Sequence, residues 1–145
     1  MLRTATAIAV TLLGTLAPAT AYAEPPAPPP LTVEIQESDM AGRVLATLDG
    51  MTLYTYDAEA NGTVVCVDTC ADLHPPFAYH DGDPLALPPG LIGTLGTVPR
   101  PDGSLQVTYD GFPMYTSAYD SQPGDAFGAD LHWQVAEPHD APQSD

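Results

Sequence analysis

The sequence predicts a mostly β fold, with two antiparallel β-meander pseudo-repeats packed into one small domain that also has short helical turns. Apolar and polar residues alternate with a period of two in several short segments, which is typical of half-buried strands. The 17 prolines and 12 glycines argue against a helical bundle, because each costs about 1–3 kcal/mol inside a helix. A pattern of Asp-Gly followed by tyrosine and then an acid occurs twice, beginning at Asp49 and at Asp110.

Before the repeats, the first 23 residues have the pattern of a secretory signal peptide. Arg3 precedes an apolar stretch over residues 7–16, and Ala21-Tyr22-Ala23 fits the small-residue rule for cleavage. The stretch is too short to span ~30 Å of hydrocarbon. We therefore expect cleavage after Ala23, no stable membrane insertion, and an exported protein that is periplasmic or secreted.

The remaining chain divides by composition into three segments. Residues 24–31 are a predicted Pro-rich linker that favours polyproline II. Residues 32–137 are the predicted β-rich domain, and residues 138–145 are a predicted flexible tail because they are polar and terminal.

The first repeat is predicted to begin with a strand over residues 31–36 and a hairpin. Residues 43–48 and 51–56 flank Asp49-Gly50, a pair typical of a type I′ turn, which needs positive φ at both central residues. Asn61-Gly62 predicts the next corner of the chain.

The second repeat is predicted to contain two more hairpins, turning at residues 101–103 and at Asp110-Gly111. Pro113 follows the second turn and has no amide hydrogen. Its strand is therefore predicted to lie at a sheet edge or to have that position facing solvent. The tetrapeptide Ala-Asp-Leu-His, at residues 71–74 and 129–132, extends the repeat.

Cys66 and Cys70 are the only cysteines, and export to an oxidising compartment favours a disulfide between them. A loop this small contributes about 2 kcal/mol, so the bridge would hold a local turn. The C-x-x-x-C spacing differs from that of a thioredoxin-like site, and a structural zinc site would need two more ligands. A free or metal-binding pair is the alternative.

Several segments together match a known pattern: Gly50–Tyr54, Cys66–Ala71, Pro75-Pro76, Gly111–Tyr115, Asp120 and Trp133. They resemble an exported bacterial repeat family with a Yx(FWY)xxD motif, which is often found in predicted lipoproteins. The resemblance covers nearly all of residues 43–136 and implies compartment and repeat architecture, with no settled biochemical role. The chain departs from the family at Glu59, Ser117 and His74, which stand in place of Asp, an aromatic residue and Trp, and it has no lipobox.

The charge balance excludes one class of partner. Nineteen acidic side chains stand against three basic ones, for a formal net charge of -16, and lysine is absent. Because phosphate contacts require Lys and Arg, we expect no nucleic-acid partner.

An acidic loop after the first hairpin suggests calcium. Its oxygen-bearing side chains nearly follow EF-hand spacing, at positions Asp57, Glu59, Asn61 and Asp68. The departures are Glu at the third position, Asp at the twelfth, and a strand rather than a helix before the loop. The alternative is a solvated acidic turn.

Two histidines suggest a transition metal or haem. His74 and His132 hold equivalent positions in the two repeats and could face each other across a pseudo-twofold axis. Imidazole is a ligand of copper, zinc and haem iron, so copper or haem is the candidate cofactor here. The alternative is that both are ordinary exposed or hydrogen-bonded loop histidines.

The motif tyrosines, Tyr54 and Tyr115, are each followed five residues later by an acid, Glu59 and Asp120. We expect each phenol to pack at the sheet edge and to bond the turn carboxylate, locking its repeat. A ligand-facing role for Tyr54, Tyr115 and Asp120 is the alternative.

The spacing shows no nucleophile with a base and an orienting acid. The sequence therefore predicts an exported, non-enzymatic binding module with a metal cation or haem as the candidate ligand. A structural or protein-interaction domain of the cell envelope is the alternative, with an envelope protein as partner and with the Pro-rich arm and the motif tyrosines as contact surfaces.

Overall fold

The computed structural model describes residues 1–144 and is mostly β, as predicted. All paired strands are antiparallel. In chain order they are β1 (Glu34–Ser38), β2 (Gly42–Ala46), β3 (Tyr54–Tyr56), β4 (Ala78–Tyr79), β5 (Leu91–Ile92), β6 (Leu95–Pro99), β7 (Leu105–Tyr109), β8 (Phe112–Tyr115), β9 (Trp133–Val135) and β10 (His139–Asp140). A 3-10 turn covers Asp57–Glu59, and one short helix, α1, covers Thr69–Leu73.

The central sheet joins the two repeats. Its strand order is β4-β7-β8-β3-β9, and β6 also pairs with β7. The equivalent strands of the two repeats, β3 and β8, are neighbours in which Tyr54 lies opposite Tyr115. Strands β1 and β2 form one separate pair, and β5 and β10 form another. The repeats are therefore fused through their tyrosine strands rather than packed as two independent meanders.

The first predicted hairpin exists only near its turn. A bridge joins Ala46 to Thr52, and the amide of Leu53 donates to the carbonyl of Leu45 at 2.9 Å, but β3 then pairs with β8 and β9. Gly50 has φ +85°, whereas Asp49 is not among the residues with positive φ. The predicted type I′ turn is therefore wrong at this site. A single left-handed glycine is enough in a three-residue loop.

The second Asp-Gly pair forms the predicted turn, because Asp110 and Gly111 both have positive φ, 50° and 86°. The edge position predicted for the Pro113 strand is wrong, since β8 lies between β7 and β3 and Pro113 is buried. The structure tolerates the missing amide because β7 and β8 pair only as far as Thr108 and Pro113. Beyond that point the backbone of Phe77 hydrogen-bonds to both strands, to Val107 of β7 and to Met114 of β8.

Two buried clusters cover the two faces of the sheet. Adjacent strand residues point to opposite faces, so Met114 belongs to one cluster and Tyr115 to the other. The first cluster is aliphatic and contains Val33, Leu45, Leu53, Val107, Tyr109, Met114 and Ala136. The second contains Tyr54, Cys66, Tyr115 and Trp133, which places the motif residues inside the protein.

Residues 1–30 are exposed and form no helix or strand. Across residues 1–144, no helix has the length and apolar character needed to cross a membrane. Within the predicted tail, β10 pairs with β5, and Arg43 contacts Asp140 at 2.6 Å. Asp145, the end of that predicted tail, lies outside the described residues.

Candidate functional site

The motif tyrosines bond acids of the opposite repeat. Tyr115 Oη donates to the two carboxylate oxygens of Glu59, each at 2.8 Å, and Tyr54 Oη donates to Asp120 Oδ2 at 2.5 Å. The predicted tyrosine–carboxylate bond is present, but the prediction that each bond locks its own repeat is wrong. The exchange follows from the β3–β8 pairing, which places each phenol beside the turn that follows the other strand.

The Glu59 carboxylate is fully buried and has three donors. Its Oε1 accepts the amides of Val65 at 2.7 Å and Cys66 at 2.9 Å as well as the Tyr115 hydroxyl. Burial, followed by the bond to Glu59, raises the pKa of the Tyr115 phenol. The phenol is therefore a permanent donor at neutral pH.

A buried arginine completes this network and was missed by the sequence reasoning. Arg100 is 7% exposed and donates to the Cys66 carbonyl at 2.8 Å and to Gln106 Oε1 at 2.6 Å. Its Nη1 lies 3.5 Å from Tyr115 Oη, so the phenol stands between a buried cation and the buried acid Glu59. The available signal was Arg100 itself, the only cation of a lysine-free chain beyond residue 43.

The Tyr54 hydroxyl is equally engaged. It accepts the amide of Gly128 at 3.2 Å, while Asp120 Oδ1 accepts the amide of Phe127 at 2.8 Å. A Cβ on Gly128 would lie 2.6 Å from Ser117 Cβ, so these two small residues are in close contact beside the Tyr54 ring. Tyr54 and Tyr115 are both 0% exposed, and neither presents a surface to a ligand.

The acidic loop does not converge on a common point. Glu59 faces the core, Asn61 Oδ1 accepts the amide of Thr63 at 3.0 Å, and Asp57 Oδ2 lies 2.9 Å from His132 Nδ1. Asp68 stands before α1 with φ +52°. Within residues 1–144 no three His, Cys, Asp or Glu side chains are grouped to hold a metal ion. The geometry therefore gives the calcium hypothesis no support.

The two histidines have different surroundings. His74 is buried and stacks on Trp133, with ring centroids 3.7 Å apart, and Trp133 also stacks with Tyr56 at 4.5 Å. Burial lowers the pKa of His74, and its Nδ1 has no hydrogen-bond partner among the described residues. His132 is exposed, and its bond to Asp57 raises its pKa. Nothing in this arrangement favours copper or haem.

The predicted disulfide is present between Cys66 and Cys70, with Cα atoms 5.2 Å apart. It joins the chain before α1 to the helix and packs against the aromatic cluster of Tyr54, Tyr115 and Trp133. Its position confirms a local staple beside the Glu59 network.

A cleft of about 550 Å³ was not predicted from the sequence. Three aromatic side chains, Tyr109, Phe112 and Trp133, line it together with three carboxylates. Its full lining is Thr55, Tyr109, Asp110, Phe112, Ala129, Asp130, Trp133, Gln134, Val135, Ala136, Glu137 and His139. These residues come from β3, β7, β8 and β9 and the turns beside them, so only the long-range pairing assembles the cleft.

The cleft is negatively charged. Asp130 Oδ1 accepts the amides of His132 at 2.7 Å and Trp133 at 2.9 Å, and these bonds lower the pKa of Asp130. Asp110 is held by the amide of Thr94 at 2.7 Å and lies 3.2 Å from His139 Nδ1. Glu137 has no ion pair within residues 1–144. No Lys or Arg lines the cleft to neutralise these acids.

Residues 96–137 match the model of a family described as a secreted repeat of unknown function. This confirms the resemblance drawn from the motifs and agrees with an exported protein. The matched part runs from β6 through β9 and includes Tyr115, Asp120 and Trp133. No curated protein and no solved structure matches the chain.

Proposed function

We propose that this protein is an exported, non-enzymatic binding module whose cleft holds an organic cation. One observation carries the proposal: three aromatic rings and three carboxylates line the same 550 Å³ cavity, with no lysine or arginine among them. The volume suits a small organic ligand. The carboxylates supply charge, and half-buried Phe112, beside the largely buried Tyr109 and Trp133, supplies an aromatic surface that a cation with an apolar body can contact.

Two physical terms favour this class of ligand. A cation over an exposed aromatic face gains about 0.5–1 kcal/mol, and Trp133 supplies little of this because it stacks with His74 and Tyr56 and is 6% exposed. The apolar part of the ligand gains about 25 cal/mol for each Å² removed from water. An anion would be repelled by Asp110, Asp130 and Glu137, and a bare metal ion would leave the aromatic walls unused.

The proposal that the protein is not an enzyme rests on the partners of its buried polar groups and on the residue types in the cleft. Glu59, Asp120 and the two motif tyrosines satisfy one another inside the protein. The cleft lining contains no serine or cysteine to act as a nucleophile. Its fixed carboxylates fit a role in attracting and orienting a charged ligand.

Trp133 is the only tryptophan and lines the cleft, so its fluorescence reports binding directly. We expect 4-phenylbutylammonium to change the emission saturably, and 4-phenylbutanol and 4-phenylbutyrate, which have the same apolar body, to bind at least tenfold more weakly. Glu137→Gln should weaken the ammonium by about fivefold, since a lost ion contact is worth about 1 kcal/mol. Asp39→Asn, in the exposed β1–β2 turn, is the matched control and should have no effect.

Equal binding of the ammonium and the alcohol would contradict the proposal, as would no saturable change at millimolar ammonium. Calorimetric titration of calcium, copper and zinc salts into the same protein tests the metal hypotheses separately. Heat from one of these metals without a response to the ammonium would favour a metal-binding module instead.

A further inference from the structure

We infer that the outer edge of β6 is a docking site at which another exported polypeptide adds an extended strand to the central sheet. Strand β6 covers Leu95–Pro99, and within residues 1–144 it pairs with β7 and with no other strand. None of its residues lines the cleft, so the site is separate from the proposed ligand site. An unpaired strand edge presents a row of backbone donors and acceptors, which is a template for strand addition.

The pairing with β7 determines which backbone groups of β6 face outward. Backbone hydrogen bonds of 2.8 Å join Thr94 to Asp110 and Arg100 to Ser104, at the two ends of the β6–β7 ladder. Hydrogen-bonded positions alternate along an antiparallel strand, so the even-numbered residues between these ends also face β7. The odd-numbered residues of β6 therefore direct their backbone groups outward, and these are Leu95, Thr97 and Pro99.

The outward groups are unpaired and accessible. Within residues 1–144 the amides of Leu95 and Thr97 have no hydrogen-bond partner on the outer side, and Thr97 and Pro99 are exposed. A cavity of about 390 Å³ lies between this part of the chain, at residues 98–101, and the loop at residues 62–64. The cavity offers room for an apolar side chain of the added strand.

The edge lacks the charge that is abundant elsewhere in the chain. Residues 84–101 contain no Asp or Glu, although the chain has 19 acids, and Arg100, their one charged residue, is buried. Natural sheets commonly protect exposed edges with charged side chains. Because β6 has none, an uncharged extended segment can pair with it without burying a charge.

A strand of a different polypeptide fits this edge better than a second β6 does. Two antiparallel copies would pair about Thr97 and would place Leu95 of each copy opposite Pro99 of the other. Proline has no amide hydrogen, so both Leu95 carbonyls would lack a donor. Each copy also carries a formal net charge of -16, which opposes self-association. The occupant is therefore an uncharged segment of another polypeptide, with an amide donor at each paired position.

Amide hydrogen exchange of the whole protein, measured residue by residue by NMR, tests whether the edge is free. We expect the amides of Leu95 and Thr97 to exchange at least tenfold faster than those of Gly96 and Val98, which β7 protects. An acetylated and amidated peptide of alternating Thr and Val should bind saturably and slow exchange at Leu95 and Thr97. The same peptide with a methyl group on every backbone nitrogen keeps its side chains and should bind at least tenfold more weakly.

Thr97→Pro removes one outward donor and leaves the hydrogen bonds to β7 in place, because proline is tolerated where a strand amide faces solvent. It should weaken the Thr–Val peptide at least fivefold. Thr97→Val is the matched control, since it keeps the amide and should bind the peptide with unchanged affinity. The exchange measurement needs no variant and decides the question if Thr97→Pro does not fold.

Three results would overturn the inference. They are slow exchange at Leu95 and Thr97 in the free protein, equal binding of the methylated peptide, and unchanged peptide affinity in folded Thr97→Pro. Sedimentation of the protein alone tests the other occupant. A dimer that Thr97→Pro dissociates would also overturn the inference, because the edge would then be occupied by a second copy of this chain.

Discussion

Replacing Tyr115 by phenylalanine removes the only side-chain donor to buried Glu59 within residues 1–144 and leaves the aromatic ring in place. Hydrogen bonds to charged groups contribute about 1.5–3 kcal/mol each. The Val65 and Cys66 amides remain, so we expect Tyr115→Phe to lower the free energy of unfolding by about 2–3 kcal/mol. Tyr54→Phe should cost about 1–2 kcal/mol, because its partner Asp120 is only half-buried and water can replace the phenol.

The exchange between repeats is tested by double-mutant cycles in urea unfolding. Combining Tyr115→Phe with Glu59→Gln, and Tyr54→Phe with Asp120→Asn, should each give a coupling energy of about 1 kcal/mol or more. The pairs within one repeat, Tyr54 with Glu59 and Tyr115 with Asp120, should couple by less than about 0.5 kcal/mol. Larger coupling within a repeat than between repeats would refute the exchanged arrangement.

Three further outcomes follow. Burial raises the pKa of both Tyr54 and Tyr115, so the stability that these phenols give the fold is complete below pH about 10 and is lost as the pH rises above that value. In Tyr54→Phe and in Tyr115→Phe the urea midpoint should therefore fall less steeply with rising pH. Burial lowers the pKa of His74, so its contribution to the free energy of unfolding is complete above pH about 6.5 and declines as the pH falls below that value. In His74→Phe the urea midpoint should therefore change less between acidic and neutral pH. Reducing the Cys66–Cys70 disulfide should lower the free energy of unfolding by about 2 kcal/mol in the same assay. An unchanged midpoint would show that the disulfide does not contribute to stability.

The local features could be predicted because their causes are local. The Asp110-Gly111 turn needs two residues that tolerate positive φ, and its sequence supplies them. The Cys66–Cys70 disulfide follows from four-residue spacing in an exported chain. The alternating strands follow from the period-two pattern. Each of these inferences uses residues that are neighbours in the sequence.

The pairing of strands could not be predicted in the same way. Tyr54 and Tyr115 have similar surroundings in sequence, and nothing local shows that β3 would pair with β8 rather than with β2. The partners of Glu59 and Asp120 depend on that pairing. The EF-hand spacing was misleading for a related reason, because Glu59 is bound inside the protein by the distant Tyr115 as well as by the Val65 and Cys66 amides of its own loop.

The cleft was missed because its charge and its aromatic rings belong to segments far apart in sequence. Phe112 and Asp110 stand at one hairpin turn, whereas Asp130 and Trp133 stand near the end of the domain. Within each segment these residues are ordinary turn and strand residues. Only the sheet order brings them to one cavity.

The reciprocal bonds between repeats also determine how such a protein tolerates the duplication or loss of one repeat. Half of this domain by itself would leave its phenol without a carboxylate and its carboxylate without a phenol. It could repair both defects only by associating with another polypeptide, and its folding would then depend on protein concentration. Joining two halves in one chain makes that encounter intramolecular, with an effective concentration set by the connecting segment. A protein diluted into its surroundings thereby keeps its fold.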